Sequence, residues 1–208
     1  MPLELWFAFV VASCVLLVVP GPTVMLVVST ALARGRSSAW ATVPGVALGD
    51  LTAVSASLLG AGAVLAASAT LFTAMKLLGA AYLVWLGIKL WRAEPQLEEP
   101  QAPLLPQSRR AMFWQAFVVT ALNPKGIVFF VAFLPQFVAP SQPAAPQFVL
   151  LGATFIILAT VIVGLWAVLA GSLRARLRRP ATLRLLNRLG GSFLVAAGIL
   201  TAAVRRQA

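Results

Sequence analysis

From residue 5 to residue 33 the chain runs through 29 residues without a charged side chain, and five more long apolar stretches follow. About 20 consecutive apolar residues match the hydrocarbon core of a bilayer. Six segments meet that length: residues 5–33, 40–66, 70–91, 111–138, 147–173 and about 181–204. A soluble domain would need about 25% charged residues to cover its surface. This chain has 10%, against 61% apolar, in 208 residues. The expected fold is an all-α membrane protein of six transmembrane helices, a single transmembrane domain over 1–208. A cleaved signal peptide is not expected: Ala31-Leu32-Ala33 follows the first run, but the start MPLELW has no basic n-region and the run far exceeds an h-region.

Net charge is +11, a balance that elsewhere signals nucleic acid. Here the 13 Arg fall in short clusters between apolar runs. That is the positive-inside pattern. It leaves no basic face with interleaved aromatics, so no nucleic-acid partner is expected. The odd-numbered loops, with Lys89, carry 12 basic residues; the even side carries Lys76, Arg205 and Arg206. Odd loops are therefore expected in the cytoplasm, with both termini outside. Arg205 and Arg206 would then sit on the wrong side, which a five-span arrangement would mend. The third loop, EPQLEEPQAPLLPQ, reads as an extended linker. With a linker over about 93–110, the halves about 1–92 and 111–208 hold three spans each. An odd number of spans per half makes them inverted repeats if they share a fold.

Helix 1 of the spans contains Pro20-Gly21-Pro22 and helix 4 contains Asn123-Pro124-Lys125-Gly126, both near mid-membrane. Proline removes a backbone donor and clashes with the preceding turn. Residues 111–138 number 28; straight helix of that length would reach about 42 Å across a core of about 30 Å, and a break uses up the excess. Broken backbone at membrane depth must face protein or a watery cavity. Matching breaks in two halves are the sequence signature of a transporter's binding site. The half-helices after Pro22 and Gly126 would aim N-terminal dipoles into that cavity, where they suit a carboxylate.

Two charges lie deep in the apolar segments, Asp50 in the second and Lys125 in the fourth. A charge at that depth costs about 2.5–3.5 kcal/mol on insertion scales, so it faces a cavity or a partner. They are expected across one cavity and close enough to pair. Asp50 suits proton coupling; the alternative is an ion pair that only locks the bundle. Gly45 with Gly49, and Gly79 with Gly87, are expected to pack helices closely and would allow a homodimer without requiring one. Lys76, Lys89, Trp85 and Trp91 read as interfacial anchors.

Other classes lack their parts. There is no histidine and a single cysteine, Cys14. A membrane thiol–disulfide carrier needs two cysteines. A metalloprotease needs His and carboxylate ligands. An ATP-driven pump needs a phosphate loop. No enzyme chemistry, metal or cofactor is expected. A secondary transporter remains, with an inorganic-ion exporter or an accessory membrane subunit as the other readings.

The ordered motifs resemble those of the LysE/RhtB translocators, the lysine and threonine/homoserine exporters. The resemblance rests on Pro20-Gly21-Pro22, on Gly45 to Asp50, on KLLGAAYLVWLGIKLWR over 76–92, on Asn123-Pro124-Lys125-Gly126, and on Phe133-Leu134-Pro135-Gln136-Phe137. It implies export of amino acids or their derivatives across a bacterial inner membrane, driven by protons. It also implies that Pro20, Gly21, Pro22, Asp50, Asn123, Pro124 and Lys125 line the path, and Gly126 adjoins them.

Overall fold

The computed structural model describes residues 1–19, 21–93, 108–139, 141–177 and 180–203. Pro20, most of the expected linker (94–107), Pro140, Arg178, Arg179, and 204–208 with Arg205 and Arg206 lie outside the described residues. The described chain is helical, with no strand. It runs α1 (Leu3–Val18), α2 (Pro22–Arg34), a 3₁₀ turn (Arg36–Ser38), α3 (Ala39–Ala67), α4 (Ala69–Arg92), α5 (Arg109–Ala121) and α6 (Pro124–Val128). A π turn (Phe129–Phe133) and a 3₁₀ turn (Leu134–Phe137) extend α6, and α7 (Ala144–Leu177) and α8 (Pro180–Ala203) follow.

Five stretches are long and apolar enough to cross a membrane: Arg36–Gly60, Thr73–Arg92, Arg109–Phe137, Ala144–Ala170 and Arg184–Ala203. α1 and α2, bent by 51°, are together long and apolar enough for a sixth if the pair crosses as one span. This is an all-α membrane protein. Its helix ends follow local chemistry. Ser68 and Ser108 cap α4 and α5, accepting from Leu71 N and Ala111 N, each at 3.2 Å. Gly35, just past α2, has φ +82°, the left-handed region that favours glycine. Pro180 opens α8, a position where its missing N–H is no loss.

Both expected interruptions are present, and they differ in severity. In the first, two prolines flank Gly21 and the helix turns sharply. In the fourth span the α-helical ladder stops at Ala121 and restarts at Pro124, yet Arg109–Phe137 runs on as one span. Asn123 explains this. Its Oδ1 accepts from Lys125 N at 3.1 Å, and its carbonyl accepts from Gly126 N and Ile127 N, each at 3.1 Å. One proline at the first position of the new helix therefore costs almost no hydrogen bonds. The restart is at Pro124, two residues before Gly126. Pro44, alone inside α3, interrupts nothing.

Close approach is set by glycine. A Cβ on Gly49 would lie 2.7 Å from Thr120 Cβ and 2.9 Å from Phe117 O, so α3 and α5 meet almost backbone to backbone. One on Gly87 would lie 2.6 Å from Gly191 O, and one on Gly198 2.7 Å from Ala80 O, along the α4–α8 seam. Gly79 meets Ala132, where a Cβ would come within 2.7 Å of its Cβ. The glycine faces read as packing surfaces are used inside this one chain. α7 packs against both α1 and α2.

The core has two levels. One gathers Phe9, Leu16, Leu83, Phe129, Phe130 and Phe155 around α1 and the second half of the fourth span. Its rings interlock, with Phe130 and Phe155 at 4.7 Å, edge to face. The other gathers Val24, Val27, Val46, Ala116, Val163 and Ala167 around α2 and α5. Between the two levels lies a polar layer built from the interruptions. Away from it, irregular backbone is satisfied by side chains: Gln147 Oε1 accepts from Ala139 N at 2.9 Å, while Gln136 Nε2 donates to Ala132 O at 3.1 Å. Overpacking a filled core costs about 1–3 kcal/mol. Gly49→Leu is therefore expected to cut the yield of monodisperse protein sharply in size-exclusion chromatography. Gly60→Leu, where nothing lies within 4 Å of an added Cβ, is expected to leave the yield unchanged.

Candidate functional site

An α-helical carbonyl accepts from the N–H four residues on. Leu16 lies four residues before Pro20, which has no N–H, so its carbonyl is orphaned by the sequence itself. Lys125 supplies the missing donor from the other half of the chain. Its Nζ donates to Leu16 O at 2.8 Å and to Val19 O at 3.0 Å. A cation at the C-terminal end of α1 also meets the negative end of that helix's dipole. Gly21 makes room for it: a Cβ there would lie 3.2 Å from Lys125 Nζ.

A second tie joins the breaks one turn away. Asn123 Nδ2 donates to Thr23 Oγ1 at 3.2 Å, and Thr120 Oγ1 donates to the same oxygen at 3.3 Å. Thr23 follows Pro22 at the start of α2; Thr120 closes α5. Sequence reading missed both threonines. The signal was present for Thr23, a hydroxyl directly after a proline break, and for Thr120, three residues before Asn123. Of the expected site residues, Gly21, Pro22, Asn123, Pro124, Lys125 and Gly126 come together at the polar layer, with Asp50 beside them. Pro20 lies outside the described residues.

Two cavities meet at this layer. The wider, about 230 Å³, is lined by Gly21, Pro22, Asn123 and Lys125 and reaches Tyr82, Lys89 and Ala93 at the arginine-rich end of α4. Lys89, read as an anchor, lies 5.1 Å over the Trp85 ring and still contributes to this wall. The smaller, about 40 Å³, is lined by Thr23, Asp50, Asn123 and Lys125. Lys125, Asn123 and Gly21 border both, so they form the partition. Asp50 is 8% exposed. It shares the smaller cavity with Lys125, but the expected ion pair is not made. Among the described residues no group hydrogen-bonds the Asp50 carboxylate, and the ammonium is held by the α1 carbonyls instead. Two backbone carbonyls, one of them orphaned by Pro20, hold the cation instead.

The arrangement offers one carboxylate, one ammonium and hydroxyl and amide groups at membrane depth, around broken backbone. A helical membrane bundle with these features is built to pass a small polar solute. The comparisons give the class its family. The LysE type translocator model matches residues 14–203, and the chain belongs to that family. It is a translocator, not an enzyme. It is 34% identical to a homoserine/homoserine lactone efflux protein of Salmonella typhimurium over 205 residues, 99% of each chain. It is 32% identical to an uncharacterized membrane protein of Vibrio cholerae over 211 residues, 99% of this chain and 100% of the other. It is 31% identical to a leucine efflux protein of an Enterobacter species over 168 residues, covering 77% and 72%. No solved structure matches it.

The tie through Thr23 is open to test. A neutral side-chain hydrogen bond contributes about 0.5–1.5 kcal/mol, and an orphaned buried donor costs about 1–3 kcal/mol. Thr23→Val is expected to lower thermal stability of the detergent-purified protein by a few degrees. Thr23→Ser, which keeps the oxygen, is expected to melt within about a degree of wild type.

Proposed function

We propose that this protein is a secondary exporter of amino acids or amino-acid derivatives across the bacterial cytoplasmic membrane, working by proton antiport. The observation that carries the reading is the partition: Lys125 borders both cavities, one running toward the arginine-rich end and one holding Asp50. Relatives named for homoserine and leucine efflux support the substrate class. The positive-inside rule puts the arginine-rich end in the cytoplasm, so the wider cavity is the intake.

In the proposed cycle the substrate's carboxylate meets Lys125 and draws the ammonium off the α1 carbonyls. The N–H groups at the start of α2 stabilise the same carboxylate. The substrate's ammonium then reaches Asp50, displacing the proton that the carboxylate carried in from outside. Proton and substrate compete for one carboxylate, and that competition is what makes the exchange an antiport. We also read the halves, about 1–92 and 111–208, as inverted repeats of one domain. Their neighbour pattern supports this: the second span packs on the fourth, the fifth on the first, and the third on the sixth.

Charge-assisted hydrogen bonds contribute about 1.5–3 kcal/mol, or about 10–100-fold in binding. Export of labelled homoserine and leucine from cells expressing the chain is expected to fall by about tenfold or more in Asp50→Asn and in Lys125→Ala at equal membrane abundance. A proton uncoupler should abolish wild-type efflux. Wild-type rates in Asp50→Asn would remove the carboxylate from the coupling step. Efflux indifferent to the uncoupler would exclude the proton as driving ion.

A further inference from the structure

On the face of α4 turned away from the candidate substrate cavity, α4 and α8 enclose an open groove of about 470 Å³. Its walls are Ile88, Trp91 and Arg92 from α4 and Ser192, Val195 and Ile199 from α8. It is apolar along most of its length and cationic at one end. Trp91 is 48% exposed, and Arg188 Cζ stands 5.0 Å over its ring. Arg184, Arg188 and Ser192 are four residues apart, so they continue the stripe that Val195 and Ile199 extend into the membrane. Arg184 and Arg188 are exposed, and among the described residues no acid is recorded as an ion-pair partner to either.

We propose that this groove is a binding site for an anionic phospholipid of the cytoplasmic leaflet. Its phosphate sits between Arg92 and Arg188, its glycerol region lies against Trp91 and Ser192, and one acyl chain lies along Ile88, Val195 and Ile199. Charge decides between this occupant and a second copy of the chain. A twofold contact across the groove would bring Arg92, Arg184 and Arg188 against their own copies, with no carboxylate among the described residues of the groove to separate them. A phosphate neutralises the same cluster. Basic pockets between membrane helices on this side hold anionic headgroups, and each Arg near the surface adds to that attraction. Beneath the groove Gly87 meets Gly191 across the α4–α8 seam, so the lipid lies along a line where the two helix backbones come close.

The test is native mass spectrometry of the full-length protein released from membranes holding both phosphatidylglycerol and phosphatidylethanolamine. Wild type is expected to retain phosphatidylglycerol preferentially. Arg92→Gln/Arg188→Gln should reduce that retention by about tenfold or more. Ala196→Trp, at an exposed groove position that leaves both arginines in place, should reduce it as well. All variants are first checked for a wild-type size-exclusion profile. Equal retention of the two lipids, unchanged retention in either variant, or displacement by inorganic phosphate alone overturns the proposal. So does a disulfide-linked dimer of Cys14→Ser/Ser192→Cys in membranes, which would place a second copy on the groove.

Discussion

Leu16 has a carbonyl that its own helix does not satisfy, because the residue four places on is proline. In water a solvent molecule would fill the gap. At membrane depth there is none, and an unsatisfied backbone group there costs several kcal/mol. The donor comes from Lys125, 109 residues further along the chain. The sharp break in the first span therefore depends on the fourth. Gly21 must lack a side chain because the ammonium occupies the space one would fill. The Pro-Gly-Pro and Asn-Pro-Lys-Gly motifs are thus two parts of one construction, and neither is explained by its own helix.

That construction leaves Asp50 without a fixed partner. A carboxylate already paired with Lys125 would be expensive to separate, since removing one member of a buried pair costs about 3–5 kcal/mol. A carboxylate facing a small cavity, with the cation held on carbonyls nearby, is open to a mobile partner. The two apolar levels above and below, rich in Phe on one side and in Val and Ala on the other, confine such a partner to the polar layer.

The spans were legible because apolar length is a local property, and their observed bounds fall within a few residues of those expected from composition. The break sites were legible because proline acts on its own helix. Their unequal severity was readable too: two prolines remove two donors, whereas Asn123 caps the helix that Pro124 begins. What stayed hidden depends on tertiary structure. Thr23 and Thr120 lie 97 residues apart; each sits beside a break that the sequence marks, but only the packing of the two spans makes them partners. Tyr82 and Lys89 join the cavity wall through the packing of α4, whose Gly79 meets Ala132 and whose Gly87 meets Gly191. Opposite charges in the two halves suggested an ion pair, and hydropathy carries no trace of the carbonyls that prevent it.

The order of groups along the cavities bears on direction. From the arginine-rich end the cavity walls present Lys89, then Lys125, and Asp50 only beyond the partition. On the proposed path a purely cationic solute would meet two ammonium groups before any carboxylate, while the carboxylate end of a zwitterion would be attracted at each. In that proposal, opening the partition would have Lys125 exchange two carbonyl hydrogen bonds for a carboxylate, a stronger acceptor. A solute without that group would leave the ammonium on α1 and the partition closed. In the proposed cycle the residue that makes the broken helix tolerable in lipid is therefore also the one that admits the substrate, and proton leakage is limited because the same side chain stands between Asp50 and the intake until a carboxylate arrives.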